Sequence, residues 1–584
     1  MNDPRRDAGA RPGGAASSWV GGAAARHGWG SRQGIHSPED RRFVGLAAAA
    51  LDDYLARNPV AATLAGDTRF DRRLPDYSVD GVAEQVRVLN RHLLALEGID
   101  PIGLSRVNAV DLDVLRRGLR WRVYQLATLQ EPRWNPTWWS AALAIEPLLA
   151  RQPVDIDAVL SRLRALPDHV EAARQTLRTI SPAHLEVALK EARATPHWLM
   201  TVGRQLQQDH PGAAADLAAA VGEAAAAVDD HRIWLASRIS HATFDPRLGE
   251  RRYEEMLRLY VGTSRSAASI KADAEASLEQ LRASMRSLAS RQQGRSMASR
   301  RLVESALESV AAAHALSGDS VLPAAQRSME AARSFTIEHS LVTVPDFDVD
   351  VIAMPSVRSG TAVVFSEAPG PLAPGRPPAR VAVAGPEQGW SASRVQSFNR
   401  EYNGAMLDAM MAHQAVPGHA LQGEVARSVS APTAIRSVFP DPGFVEGWAV
   451  YAQDLLMRHG YPGASASGDP TAFALQQTKL LLRGVVNALL DIGYHTGDLD
   501  EPQARRLLAT AAQAEEGEFV VKWRRVRTTA GTLATYFVGL QAMRELVGRI
   551  TEQHPRWSEQ RVHDAALMHG AAPPRAVADL LGII

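Results

Sequence analysis

Apolar residues recur at roughly helical spacing through most of this 584-residue chain. The first such stretch, 43–55, follows a Ser37–Asp40 sequence that is typical of a helix N-terminus. Further segments with this spacing are 82–96, 109–128, 156–166, 182–208, 213–240 and 264–288. This pattern predicts a large, mainly α fold and limits other elements to the intervals between the helices.

Short β-branched runs, separated by proline and glycine, interrupt the helical pattern after residue 340. They are 341–344, 349–354, 362–365 and 380–384. They predict a small antiparallel β-sheet around residues 340–385, with the proline-rich segment 368–378 as a surface loop between two strands. We therefore expect one helical domain at 38–584. Its first part, 38–335, is helical, and its second part, 336–584, adds the sheet and the candidate site.

Composition excludes several classes of function. Lys plus Arg and Asp plus Glu both number 64, so no net positive charge favours nucleic acid. Cysteine is absent, which excludes disulfides, a thiolate nucleophile and cysteine-ligated metal. Any metal site must use histidine and carboxylate. The composition leaves the oligomeric state open.

Residues 1–37 are rich in Gly, Ala and Arg, and no secretory hydrophobic run follows the early arginines. We expect a disordered leader and a cytoplasmic protein. The alanine-rich stretch 216–230 is too short and too charged to cross a bilayer, so we expect no membrane span.

Two histidines, His413 and His419, bracket a Pro417-Gly418 step. Six positions amount to about 240° on an unbroken helix, so the two side chains meet only if the helix is distorted. Proline and glycine supply such a distortion. The alternative is a helix that ends at Pro417, with His419 starting an unrelated one.

Glu446 completes a possible ligand set. Zinc hydrolases commonly use two His and one Glu, with a further Glu beside the first His as general base. Gln414 occupies that base position here, and its amide cannot take a proton. Gln453 lies within about 20° of Glu446 on a shared helix. Taken alone, a Glu at a helix start is usually a cap or a partner of the helix dipole, and Glu446 becomes a ligand candidate only together with the histidine pair.

Two further stretches carry titratable groups. Asp491 and His495 are four residues apart on one helical face, an arrangement that serves either proton transfer or capping. Tyr536 is a candidate oxyanion donor, with core packing as the alternative.

Together these stretches resemble the bacterial DUF885 family, whose signatures are His-Glu-x-x-Pro-Gly-His-x-Leu-Gln and Glu-Gly-Trp-Ala-x-Tyr-Ala-Glu. The resemblance also covers residues 52–66, 134–136, 342–346, 491–495 and 536–539. That family looks like a distant relation of gluzincin zinc peptidases. The resemblance implies a metallopeptidase-like helical fold, with His413, His419 and Glu446 as ligands of Zn²⁺.

The chain departs from the family pattern at three positions. Gln414 replaces the general-base Glu, Gln453 replaces the Glu that ends the second signature, and Thr532 replaces a Gln ahead of Tyr536. Losing a general base costs about 10²- to 10⁴-fold in rate.

Three hypotheses about function follow. The first is a zinc-dependent hydrolase with impaired or altered catalysis, acting on a short peptide or an amide-containing small molecule, in which His495, Asp491 or a substrate group replaces the base. The second is a metal-binding pseudoenzyme that serves as a binding or interaction protein. The third is a repurposed, non-hydrolytic metalloenzyme. Gln414 is equally readable as an engineered inactivating change.

Overall fold

The computed structural model describes residues 37–294, 300–316, 320–355, 358, 362–386, 389–464, 469–514 and 516–583. The predicted disordered leader lies outside these residues, apart from Ser37. No helix within the described ranges combines the length and apolarity that crossing a membrane requires. The prediction of a mainly α fold is confirmed.

The first part of the chain forms helices α1 to α12. They are α1 Pro38–Arg57, α2 Pro59–Ala65, α3 Val79–Glu97, α4 Arg106–Val123, α5 Ala141–Leu149, α6 Ile156–Thr176, α7 Pro182–Asp209, α8 Ala214–Ser237, α9 Glu250–Met256, α10 Ala267–Gln293, α11 Arg300–Ala313 and α12 Val321–Glu338. Short 3₁₀ turns lie at Thr68–Phe70, Pro101–Gly103, Glu131–Arg133, Pro136–Trp139, Pro211–Ala213 and Ile239–His241, and π-helical segments at Tyr124–Leu129 and Leu257–Val261.

Three strands follow, and then the helices that carry the candidate site. The strands are β1 Val349–Ala353, β2 Val364–Glu367 and β3 Ala379–Val383. The later helices are α13 Ala392–Glu401, α14 Gly404–Gln414, α15 His419–Arg427, α16 Ile435–Val438, α17 Pro442–Arg458, α18 Thr471–Thr496, α19 Glu501–Ala511, α20 Glu516–Thr528, α21 Thr535–Gln553, α22 Glu559–Leu567 and α23 Pro574–Leu581.

Side-chain caps fix where several helices begin. Ser37 forms the predicted N-cap of α1: its hydroxyl accepts from the Asp40 N–H at 2.8 Å, and the Asp40 carboxylate accepts from the Ser37 N–H. Asp441 caps α17 in the same way, accepting from the Phe444 N–H at 2.7 Å. The α17 cap sets the start of the helix that carries Glu446.

The small sheet is present, but its strands do not pair as predicted. The strand order is β1-β3-β2; β2 runs antiparallel to β3, whereas β1 runs parallel to β3 in the register Val349 to Ala379. The purely antiparallel prediction is therefore wrong for one of the two pairings. The predicted strand 341–344 is irregular, and segment 368–378 connects β2 to β3 as expected.

The helical spacing over 395–414 predicts one helix, but the structure has two. The chain leaves the helical conformation at Tyr402, with φ −104° and ψ 51°. The Asn403 side chain then accepts from the Met406 N–H at 3.2 Å and starts α14. This break gives α14 a direction of its own, with His413 at its C-terminal end.

The main hydrophobic core draws on both ends of the chain. It joins buried side chains of α1 and α4, such as Phe43 and Leu115, to Phe444, Trp448 and Ile550 of the later helices. The first part of the chain therefore supports the helices that carry the site. Smaller clusters lie among α5 to α8 and beneath the sheet.

Helices α17 and α21 cross at glycines. A Cβ at Gly447 would overlap the Gly539 carbonyl group, and a Cβ at Gly539 would overlap the Gly443 carbonyl oxygen. The two backbones are in direct contact because these positions lack side chains. This close crossing brings the first turns of the two helices together, and with them Glu446 and Tyr536.

We expect Gly447→Ala to destabilise the fold by about 1–3 kcal/mol, because the added methyl group has no space between the two helices. Gly548→Ala is the matched control: it lies in α21 with open space around it, so we expect a gain of up to about 1 kcal/mol from helix propensity. Thermal unfolding midpoints measured at one heating rate compare the two variants. Equal midpoints would contradict the close crossing.

Candidate metal centre

Three side chains from three helices converge at one point. His413 ends α14, His419 begins α15, and Glu446 lies in the early part of α17. Their potential ligand atoms all lie within 4.8 Å of one another. Glu446 Oε2 is 3.5 Å from His413 Nε2 and 3.6 Å from His419 Nε2. The structure therefore brings together the three residues predicted as metal ligands.

A tight turn between α14 and α15 lets the histidines meet. Helix α14 ends at Gln414 and a new helix begins at His419, as in the alternative with two helices, yet the two imidazoles still face each other with centroids 4.7 Å apart. A Cβ at Gly418 would overlap the His413 carbonyl oxygen, so this position requires glycine. Trp448 Nε1 donates to the Pro417 carbonyl oxygen at 2.8 Å and ties the turn to α17.

Gln453 determines which nitrogen of His413 carries the proton. Its Nε2 donates to the Ala409 carbonyl oxygen at 2.7 Å, so its Oε1, 3.1 Å from His413 Nδ1, is left to accept. In neutral His413 the proton then lies on Nδ1, and Nε2 presents a lone pair to Glu446. Burial lowers the pKa of His413 and so favours this neutral form.

The carboxylate between the histidines lacks a donor. Glu446 Oε2 is buried and has no hydrogen-bond partner among the described residues. Burial alone would raise the pKa of Glu446, but the two adjacent imidazoles hold it below its ordinary value. Neutral His413 would set its Nε2 lone pair against the carboxylate, so a proton on an imidazole or a bound cation is needed to join these groups.

The spacing of the three ligand atoms fits a small divalent cation. Ligand atoms bound tetrahedrally at about 2.1 Å lie roughly 3.4 Å apart, close to the two separations from Glu446. Two imidazole nitrogens and one carboxylate oxygen suit zinc and similar metals. The residues present therefore fit such an ion, and Gln453 holds His413 from behind as outer partners of metal ligands commonly do.

A cavity of about 910 Å³ opens beside these ligands. His413, Gln414, Gln453 and Tyr536 are among the residues that line it. The Gln414 side chain has no hydrogen-bond partner within the described ranges, so its amide is free to contact whatever occupies the cavity. This cavity is large enough for a short peptide or a drug-sized molecule.

Tyr536 lies beside the ligands at the start of α21. Its ring centroid is 6.3 Å from that of His413, and its hydroxyl accepts from Arg525 Nη2 at 3.3 Å. Burial raises the pKa of Tyr536, so the hydroxyl stays protonated at neutral pH. The structure thus places a protonated phenol against the cavity, next to a cationic side chain.

Asp491 and His495 do not line this cavity. Asp491 is fully buried and accepts from the backbone N–H groups of Gly531, Leu533 and Ala534 at 3.0–3.1 Å. His495 Nε2 donates to the Thr529 carbonyl oxygen at 2.9 Å. Both side chains therefore hold the 529–534 loop, which connects Arg525 to Tyr536.

Arg525 and Asn487 line the cavity but were not among the predicted site residues. Asn487 lies one helical turn before Asp491, so it faces the same side of α18. Arg525 lies eleven residues before Tyr536, across a loop whose path depends on Asp491. The four-residue spacing between Asn487 and Asp491 in the sequence places both on one helical face and could have identified Asn487. The position of Arg525 depends on contacts that the local sequence does not show.

Comparison with protein families identifies the class. Residues 59–581 match the family described as "Bacterial protein of unknown function (DUF885)". This match covers most of the chain, and the protein belongs to that family. A search of curated proteins finds no match.

Two solved structures share the fold. One is described as a "putative lipoprotein of unknown function from Shewanella oneidensis"; it is 20% identical, with a TM-score of 0.75 over 92% of this chain and 99% of its own. The other, described as a "putative lipoprotein from Colwellia psychrerythraea", is 15% identical, with a TM-score of 0.76 over 94% of this chain and 99% of its own. At these identities the likeness shows the fold alone.

We expect Asp491→Asn to destabilise the protein by about 1–3 kcal/mol, because the amide nitrogen that replaces one carboxylate oxygen would face backbone N–H donors. Asp498→Asn is the control, since Asp498 is exposed and forms a surface ion pair with Lys271 at 3.5 Å, which contributes little to stability. Urea unfolding followed by circular dichroism measures both. A stable Asp491→Asn protein would argue against the loop-holding role.

Proposed function

We propose that this protein is a zinc-dependent, hydrolase-like protein whose catalysis is impaired or altered. Its substrate is proposed to be a short peptide or another small amide. The observation that carries this proposal is the unsatisfied Glu446 carboxylate between two histidines, beside a cavity of peptide size. His413, His419 and Glu446 would hold the ion.

Zinc in such a site acts as a Lewis acid and lowers the pKa of bound water. The chain's own residues account for the rest of the arrangement. Gln453 fixes the donor nitrogen of His413. Tyr536, kept protonated, is placed to donate to a carbonyl oxygen that develops negative charge, and Arg525 holds its hydroxyl in position.

Gln414 limits the proposed hydrolysis. The amide lines the cavity beside His413, where a carboxylate would remove a proton from the attacking water. An amide can orient water but cannot take its proton. Because Asp491 and His495 act on the 529–534 loop, we assign them a positioning role and do not propose them as substitutes for the base.

A metal-dependent binding protein without turnover is the second candidate. The observation that favours it is again the neutral Gln414 side chain, directed to the cavity and without a protein partner in the described part of the chain. The same metal site would then retain a peptide or small molecule without cleaving it. A non-hydrolytic metalloenzyme would use the same residues.

The metal site itself is tested by zinc content. We expect about one zinc per chain after dialysis, measured by plasma mass spectrometry, and loss of most of it in His413→Ala and Glu446→Gln. Gln453→Leu, which leaves His413 Nδ1 without an acceptor, should weaken zinc binding by roughly 10- to 100-fold. His459→Ala, which removes an ion pair with Glu559 at 2.8 Å, is the control and should keep its zinc. Unchanged zinc in His413→Ala would contradict the site.

Catalysis is tested by restoring the base. Gln414→Glu should raise the rate of dipeptide hydrolysis by about 10²- to 10⁴-fold, measured by chromatography over a dipeptide library at equal zinc content. Gln541→Glu is the matched control. It places a new carboxylate in the same cavity, but at a residue that is hydrogen-bonded to Arg265 and not beside His413. Strong activity in the unmodified protein would exclude the binding-protein candidate, and activity in neither form would favour it.

A further inference from the structure

The cavity beside the metal ligands has an excess of positive charge. Seven basic side chains and two carboxylates line it within the described ranges. The basic residues are Lys190, Arg394, Arg483, Lys522, Arg524, Arg525 and Arg544, and the carboxylates are Glu401 and Glu518. A low-dielectric cavity with this imbalance attracts anions.

Three of these cations, Arg483 of α18 with Lys522 and Arg525 of α20, form what we call the cationic wall. Arg483 pairs with Glu401, which also binds Lys479 at 3.0 Å, and Lys522 lies 3.8 Å from Glu518. Two carboxylates therefore pair with three cations, namely Arg483, Lys479 and Lys522. Burial lowers the pKa of Lys522 to about 8, although Glu518 opposes the shift, and the charges of Arg525 and Arg483 add to it.

Arg525 is the member of the cationic wall without a carboxylate. No Asp or Glu oxygen of the described residues lies within 4.0 Å of its guanidinium, and its hydrogen bond goes to the Tyr536 hydroxyl. Tyr536 and, to a smaller extent, the charge of Glu446 raise the pKa of Arg525, and a bound metal would neutralise Glu446. A guanidinium in this position can pair with an anionic group of the ligand.

Asn487 provides a second, independent observation. Its side chain lines the cavity one turn beyond Arg483, only 5% exposed, and its Oδ1 is buried without a partner in the described part of the chain. Arg483 Nε is likewise buried and unpartnered. Buried polar atoms without partners are costly in a folded protein unless a ligand or water meets them.

We propose that the cavity binds a small molecule or short peptide that ends in a carboxylate, and that Arg525 is the group that pairs with this carboxylate. Asn487 hydrogen-bonds the adjacent amide of the same ligand. Consecutive peptide units are about 3.8 Å apart, so a carboxylate at Arg525 places the neighbouring amide carbonyl beside Tyr536 and His413. This inference deepens the proposed function and rests on it, because it assigns the C-terminal side of the substrate to the cationic wall.

A carboxylate is favoured over a larger anion by the number of donors. One guanidinium without a carboxylate partner and one amide match a monoanion with two oxygens. Phosphate sites usually add helix N-termini or several backbone N–H groups, whereas the cationic wall comes from the interior of α18 and from the later part of α20, including its last turn. The assigned ligand class is therefore a peptide-like acid.

The test compares two probes that differ only in this group: mercaptoacetyl-glycine and mercaptoacetyl-glycinamide. Isothermal titration calorimetry gives their dissociation constants for the zinc-loaded and the metal-free protein. We expect the acid to bind the zinc-loaded protein roughly 10- to 100-fold more tightly than the amide, since a charged hydrogen bond is lost in the amide. The thiol of both probes reports on the metal separately from the carboxylate.

Variants assign the preference to Arg525. Arg525→Gln should bring the ratio of the two constants close to one, and Arg525→Lys should keep part of it. Arg544→Gln removes a cavity cation that is paired with Asp454 at 2.8 Å, so this control should keep the full ratio.

Asn487→Asp retains every cation and sets a like charge against the ligand carboxylate, so it should weaken binding of the acid more than binding of the amide. It tests the same site if Arg525→Gln fails to fold.

The outcomes separate this inference from the proposed function. Equal binding of acid and amide to the unmodified protein, or no binding of either, would overturn the carboxylate assignment. A ratio that survives in Arg525→Gln would overturn the role of Arg525. Probes that bind the metal-free protein as tightly as the zinc-loaded one would contradict the metal site, while an acid preference that Arg525→Gln removes would still support the cationic wall.

Discussion

Burial of the Glu446 Oε2 atom between two imidazoles is the constraint on which the site depends. A buried charge without a partner is expensive, and the free energy of burial is recovered only if a cation or proton joins the three side chains. Much of the surrounding structure serves that arrangement. The Gly418 turn lets His419 approach, Gln453 aims His413, and the crossing of α17 and α21 fixes the depth of Glu446.

The loop between α20 and α21 links this centre to the cavity wall. Asp491 accepts from three backbone N–H groups of the loop, those of Gly531, Leu533 and Ala534, and so replaces hydrogen bonds that a helix would supply. His495 holds the Thr529 carbonyl at the other end of the loop. Arg525 and Tyr536 therefore meet at 3.3 Å across a loop that these hydrogen bonds hold. Side chains that do not contact the cavity thus decide the geometry of those that do.

Local patterns predicted the helices and pointed to the candidate metal ligands, because helical spacing and the spacing of the two histidines are visible in short stretches of sequence. The parallel β1–β3 pairing was missed because it joins segments on either side of β2, and no local signal reports strand order. The break at Tyr402 was missed because Asn403 can lie within a helix as well as cap one.

The same limit applies to the titratable pairs. Asp491 and His495 have spacing that suits either proton transfer or a structural role, and their partners lie 34 to 43 residues further along the chain. Arg525 becomes prominent only when every neighbouring cation has been matched to its carboxylate. Such accounting requires three-dimensional contacts, because arginine is abundant in the sequence and its position there does not show which carboxylate it pairs with.

The two glutamines and the cationic wall have related electrostatic consequences. Measured against the signatures that the chain resembles, Gln414 and Gln453 each remove one negative charge from the surroundings of the metal ligands. Their loss raises the positive potential that a ligand in the cavity meets, and it adds to the excess already created by Arg525 and Lys522. A metal site altered in this way would bind an anion more tightly and activate water less well. The two proposals, retention of a carboxylate ligand and weak hydrolysis, would therefore follow from the same change in charge.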